Sequence, residues 1–337
     1  DFEDIVRLFY IKIKSYIVYK MNKEKLIDTL SKSRPNAKES TIKMYTSNLM
    51  KLMKMFESDD LKFLDKPEDV EDKLKELHYT TRRNYLNAIT VYLLATEDKD
   101  SDLIKEYADL RDTLNKQYED EQATGVISDK QKDNFVPIEE VNKMIATMGQ
   151  EIKDKQLKKK EDLTAKDKAL IQVYTLFNIY TRLPLRNDLS HMETINKRGY
   201  NKLSKEEKED KNYLVINKNA MFMVLNKYKT SSKYDELKID VPKDLEKLLR
   251  QYIRINGMGV LFKSSTGKPL SRNALSQLLL KTSKKYMGKS ISTTMLRKIY
   301  LSSKYSDMKE ELEKDNKVMG HSKEVAMDTY IKKEQTD

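Results

Sequence analysis

Cysteine is absent from the 337 residues. Without a thiol, disulfide scaffolds, cysteine-ligated zinc knuckles and thiol nucleophiles are excluded outright. Histidine is scarce as well: His78, His191 and His321 are the only three, and scattered imidazoles without a carboxylate array do not make a transition-metal site. No cofactor and no metal are expected. No run approaches the roughly 20 apolar residues that a membrane span requires. The N-terminal segment Ile5 to Tyr19 is interrupted by Arg7, Lys12 and Lys14, so a soluble chain is expected. A glycine loop of the kind that cradles nucleotide phosphates is also missing, and with it the usual sign of ATP-driven chemistry.

Only 8 glycines and 6 prolines punctuate the chain, and apolar residues recur mostly at three- and four-residue spacing, so the protein reads as largely helical. Positive charge is what it has in excess. Lys and Arg number 65 against 54 Asp and Glu, a formal net charge of +11. That excess favours a polyanionic partner, nucleic acid first. Because a lysine-rich chain can equally be a well-solvated one, motifs have to decide.

The length suggests two domains. In the first, expected over residues 1–117, Ser40-Thr41-Ile42-Lys43-Met44-Tyr45 opens a helix whose Tyr45, Leu49, Leu52, Met53 and Phe56 form an apolar stripe. A second helix opens at Thr80-Thr81-Arg82-Arg83-Asn84-Tyr85-Leu86, a shorter one lies between at Asp69 to Leu77, and a bundle of four or five helices is predicted. Met44, Met50, Met53 and Met55 fill core and edge positions of that bundle. His78 and His191 read as structural or surface groups. Residues 118–134 are polar, carry a glycine and lack apolar periodicity, which marks an interdomain linker.

The second domain, 135–337, restarts a helix at Phe135 to Val141 with Pro137 near its first turn and acidic residues suited to the helix dipole. The basic run Lys153 to Lys160 reads as a solvated helix end or loop. From Tyr213 the period shortens towards two. Tyr213–Ile216, Met221–Leu225 and Glu236–Val241 are predicted strands of a small antiparallel sheet, the last two joined by the lysine-rich segment 226–233. Helices resume after Pro242, with breaks at 256–259 and 267–270.

Four segments follow in fixed order in this second part: Leu185-Arg186-Asn187-Asp188-Leu189, the lysine segment, Thr294-Met295-Leu296-Arg297, and Met319-Gly320-His321-Ser322 with Tyr330 nine positions after His321. Together they resemble the signature of the tyrosine recombinases, the family that includes the phage-type integrases. That signature has an arginine at a helix start, a hairpin lysine, a His-x-x-Arg box, and Leu-Gly-His-Ser followed by a tyrosine. The resemblance runs from about Phe135 to Lys332, and the Thr-Ile-x-x-Tyr start at Thr41 is similar to the family's N-terminal core-binding domain. It departs from the pattern at Met319, where the family has leucine, and at Thr294, where it has histidine. A threonine hydroxyl can donate to a phosphate oxygen but cannot exchange a proton near neutral pH as imidazole does.

The resemblance implies a mainly α fold with a small antiparallel β-sheet: a helical, SAM-like core-binding domain followed by a mixed α/β catalytic domain. It implies a site-specific DNA recombinase in which Tyr330 attacks a DNA phosphate held by Arg186, Arg297, His321 and a lysine of a β-hairpin, with Thr294 also in the catalytic set. Rigid guanidinium forks suit the charge that builds on the non-bridging oxygens. A lysine beside the DNA can protonate the leaving oxygen. Lys229 is assigned that role, although Lys227 and Lys233 lie on the same connection and alternation does not separate them. Arg82, Arg83, Lys227 and Lys233 are expected to contact DNA. The partners implied are double-stranded DNA with inverted half-sites and further copies of the chain, as a dimer or tetramer on that DNA. Location follows the target DNA, whether bacterial cytoplasm, host nucleus or viral factory. Tyr300 and Tyr305 are the rivals of Tyr330 for the nucleophile; spacing from His321 favours Tyr330. Two other functions compete: a type IB topoisomerase-like relaxing enzyme, and an inactive DNA-binding protein of the same fold, for which Thr294 is the hint.

Overall fold

A computed structural model describes residues 22–97, 101–228 and 236–319. The chain divides into two units between Ile127 and Ser128, and each has its own apolar core.

The described residues of the first unit are helical or irregular, with no strand. Residues 22–33 form α1, followed by α2 (Glu39–Met55), α3 (Pro67–Leu74), α4 (Tyr79–Thr96) and α5 (Asp102–Ala123). In α2 the stripe Ile42, Leu49, Leu52 and Met53 is buried, with Thr46 satisfied by the carbonyl of Ile42 at 2.9 Å. His78 caps α4, its ring accepting from the backbone N–H of Thr80. Pro67 opens α3, where its missing N–H costs no helical bond. Tyr107, fully buried in α5, donates to the Leu64 carbonyl at 3.0 Å and so fastens the α2–α3 connection to the bundle.

Residues 118–123 of the expected linker continue α5. Polar contacts with α4 hold them: the Arg83 guanidinium lies 4.1 Å from the Tyr118 ring centre, and Tyr79 donates to Glu121. Apolar periodicity stops before this point, which is why the sequence reads as a linker there. Asp129–Lys132 then form a single short helix, α6.

In the second unit, α7 (Ile138–Asp154) buries Val141, Met144, Ile145, Met148 and Ile152 at helical spacing. Most of the C-terminal half of α8 (Ala165–Tyr180) is buried, and a reciprocal Thr164–Asp167 capping box opens it. The predicted strands are present as β2 (Tyr213–Ile216), β3 (Met221–Leu225) and β4 (Leu237–Asp240), paired antiparallel.

The sheet departs from the expectation in size and direction. It has five strands in the order β4-β3-β2-β1-β5; β1 (Glu193–Asn196) runs parallel to β2, and β5 (Gly259–Val260) joins the far edge antiparallel. A parallel neighbour needs a crossover of a dozen or more residues. Here it is supplied by α9 (Lys197–Lys202) and α10 (Lys205–Asp210). All five residues of β3 are buried, because Met221, Met223 and Leu225 face the main core while Phe222 and Val224 face a second cluster with Tyr200, Tyr213 and Val215. That two-sided cover is why the strand reads as an unbroken apolar run.

The unit continues with α11 (Lys243–Asn256), α12 (Arg272–Met287) and α13 (Thr293–Met319). Among the described residues no helix is long and apolar enough to cross a membrane.

Candidate functional site

Arg186 sits where α8 has ended and the chain must turn. Tyr180, fully buried at the end of α8, donates its hydroxyl to the Arg186 carbonyl at 3.0 Å. Leu185 and Leu189 point into the core, and Arg186 is extended between them, at φ −77°, ahead of the single 3-10 turn Asn187–Leu189. The same loop is held from α13: Arg297 donates through Nε to the Pro184 carbonyl at 3.1 Å. Leu296 and Ile299 are buried on either side of Arg297 and fix the helix, so the guanidinium reaches the loop from a rigid base. The loop and helix that carry two of the motif arginines are thus joined directly.

Asp188 organises their electrostatics. It is 6% exposed. Burial raises its pKa above the usual carboxylate value, while Arg272, Arg186 and Arg297, in that order, oppose the rise. Three guanidinium groups therefore act on one buried carboxylate, and the nearest, Arg272, brings Nη2 to 3.6 Å from Oδ1. The neighbouring Asn187 donates to the Arg272 carbonyl at 3.4 Å, so the turn and the start of α12 are joined twice. Burial also raises the Tyr180 pKa, and the Asp188 charge reinforces the shift; the phenol is held neutral, as a donor to the Arg186 carbonyl requires.

Asn212, 5% exposed, ties a third segment to this place. Its amide nitrogen donates to the Asp188 carbonyl at 3.0 Å and to the Lys227 carbonyl at 3.2 Å. Its oxygen accepts from the backbone N–H groups of Asn226 and Lys227 at 3.0 and 2.8 Å. The root of the lysine-rich connection is thereby anchored to the turn that follows Arg186.

The remaining sequence candidates fall as follows. Thr294 is exposed in the first turn of α13, one turn before Arg297 and on the same side of the helix. Lys227 extends to Asp210 at 2.9 Å and is 68% exposed. In the first unit Arg82 pairs with Glu71 at 3.4 Å, and Arg83 stacks on Tyr118. Lys229, Lys233, His321 and Tyr330 lie outside the described residues. Of the rival tyrosines, Tyr305 is exposed and Tyr300 half-buried, with the Lys304 ammonium over both rings.

Sequence reasoning missed Arg272, Asn212 and Tyr180 as parts of this site. Arg272 did leave a signal. It opens α12, after the cap residue Ser271, in a first turn that contains no acidic residue. A cation there opposes the helix dipole, and the Asp188 carboxylate supplies the compensation. Asn212 and Tyr180 left none, since a buried amide and a helix-end tyrosine have no periodicity of their own.

No family model and no curated protein matches the chain. Among solved structures it is similar to the XerH site-specific recombinase bound to a palindromic difH substrate in a post-cleavage complex, at 14% identity over 92% of this chain and 82% of that one, with a TM-score of 0.47. It is similar also to XerH bound to difH before cleavage, at 13% identity over 92% and 85% of the two chains, with a TM-score of 0.44. Against the XerA recombinase the identity is 10% over 91% and 94%, with a TM-score of 0.34.

Proposed function

We propose that this chain is a site-specific DNA recombinase of the tyrosine type, cleaving and rejoining DNA through a 3′-phosphotyrosyl intermediate. One observation carries the reading: Arg186 and Arg297, separated widely in sequence but both belonging to the ordered motif set, come to one loop and act on one buried carboxylate. The tie from Asn212 adds the root of the lysine-bearing connection to the same place.

In this reading the phosphate lies between the two guanidinium groups, whose forks bind non-bridging oxygens as charge accumulates on them. The Tyr330 oxygen attacks phosphorus and loses its proton; the bond from phosphorus to the 5′ oxygen breaks. A lysine of the connection, Lys229, with Lys227 and Lys233 as its neighbours, protonates the departing oxygen. Thr294 and His321 donate hydrogen bonds to the same phosphate. The phosphotyrosyl link conserves the bond energy, so a 5′ hydroxyl from another strand reverses the step without ATP. Copies of the chain assemble on inverted half-sites, where a shared DNA raises their effective concentration. Integration or excision of mobile DNA is the natural setting.

A nicked half-site substrate, from which the cleaved end diffuses away, tests the reading. A covalent adduct mapped to Tyr330 is expected, and Tyr330→Phe should bind the duplex but form none. An adduct at another residue, or none with any duplex selected for binding, overturns it.

A further inference from the structure

We propose that Arg272 is a positioning residue of the same site: by pairing with Asp188 it leaves Arg186 and Arg297 free to present their guanidinium forks to phosphate. The proposal rests on the reading above and adds a residue outside the four recombinase-like motifs.

The argument is one of charge balance in a confined place. Asp188 is buried, and four groups face it: Arg186 from its own loop, Arg272 from α12, Arg297 from α13 and the Tyr180 hydroxyl from α8. A buried carboxylate requires a partner. Without Arg272, either Asp188 takes a proton or it draws in one of the two remaining guanidinium groups. Either outcome damages phosphate binding. A protonated Asp188 leaves three segments without the charge they are arranged around, and a captured arginine spends its fork on the protein.

Geometry favours Arg272 as the partner. Its Nη2 is 3.6 Å from Asp188 Oδ1, and its carbonyl accepts from Asn187, so the side chain and backbone of one residue hold both positions that follow Arg186. Arg297 is turned by its Nε towards the Pro184 carbonyl, and Arg186 stands immediately before the turn that carries Asp188. Arg272 is 56% exposed, while the carboxylate it meets is 7% exposed. Its replacement therefore removes a surface side chain and leaves the core of α12, Leu275 and Leu279, in place.

The experiment has two arms. In the first, the carboxyl carbon of Asp188 is titrated by NMR in the free protein. Arg272→Ala should raise the midpoint relative to the parent, and Arg272→Lys should restore most of the difference. An unchanged midpoint overturns the pairing, whatever the protein's activity. In the second, single-turnover adduct formation is followed against pH. Arg272→Ala should slow the step at least tenfold with little change in DNA affinity, and its acid limb should move to higher pH. Arg272→Lys should recover part of the rate, and adding Asp188→Asn to Arg272→Ala should leave the rate low and abolish the shift of the acid limb, since the group that titrates is then gone. Equal losses of rate and affinity, with no shift of the acid limb, would mean that Arg272 contacts DNA itself, and the proposal would fall. Absence of any adduct from the parent protein defeats the recombinase reading alone; the NMR arm still decides the pairing.

Discussion

At the scale of single residues, the two motif arginines are not equivalent. Arg297 uses Nε on the Pro184 carbonyl, which orients the side chain and leaves its terminal nitrogens as the fork. Replacing it by alanine should slow cleavage by roughly a hundred- to a thousandfold, the usual loss for one donor to a developing oxyanion. Lysine should not restore the rate, because it keeps the charge but loses both the planar fork and the tie to Pro184. Single-turnover adduct formation by the two variants decides this, and near-normal cleavage by Arg297→Ala would show the arginine to be outside the chemistry. Asp188 makes a prediction about stability. Its folded-state pKa is raised above the ordinary 3.8, chiefly by burial. The folded protein therefore holds this proton more tightly than the unfolded chain does, and stability falls as pH rises from the ordinary value through the raised one. The unfolding midpoint of Asp188→Asn, measured relative to the parent, should thus improve as pH increases across that window. A relative midpoint that falls with increasing pH would mean that the arginines win over burial.

At the scale of elements, legibility followed the pattern of burial. β2 and β3 could be read because apolar residues crowd them, and α2, α4 and α7 because their buried residues recur at helical spacing. β1 could not. Glu193-Thr194-Ile195-Asn196 offers one aliphatic residue, and much of its edge register comes from a hydroxyl: Thr194 donates to the Gly259 carbonyl at 3.1 Å and accepts from the Gly259 N–H at 2.8 Å. The end of α5 was missed for a similar reason, since ring and carboxylate contacts hold it where apolar contacts stop. The site divides in the same way. Arg186 and Arg297 were visible through ordered motifs, whereas Arg272 and Asn212 enter through pairings across 84 and 24 positions. Asn212 is the element-scale test. Its loss leaves two backbone N–H groups and two carbonyls short of a partner in a closed place, at about 1–3 kcal/mol for each group that water does not reach. Asn212→Ala should therefore destabilise the second unit by about 3 kcal/mol or more, seen as a lower denaturation midpoint. Cleavage by the residual folded protein should also fall as the lysine connection loses its anchor. Unchanged stability would show that the anchor is dispensable.

At the scale of the whole molecule, the charge of +11 bears on the partner. The cations assigned to DNA are engaged within the protein to different degrees, so they should not contribute equally. Lys227 holds Asp210 through a pair that is 68% and 64% exposed, which solvent screens, so a phosphate can displace it at little cost. Arg82 is 22% exposed beside Glu71, and Arg83 lies on the Tyr118 ring; both side chains already serve the first unit. Binding to a duplex should weaken steeply with salt, because each phosphate neutralised releases condensed counterion, with a slope of about −0.9 per contact in a double-logarithmic plot. Lys227→Gln should flatten that slope by about one contact and leave the folded protein as stable as before. Arg82→Gln should also flatten it but lower stability, since it abandons Glu71. Titrations of one duplex from low to physiological salt measure the slopes, and thermal melts separate the two effects. A dissociation constant indifferent to salt would remove nucleic acid as the partner that the charge serves; an equal slope in Lys227→Gln and the parent would remove this lysine from the contact while leaving the charge argument intact.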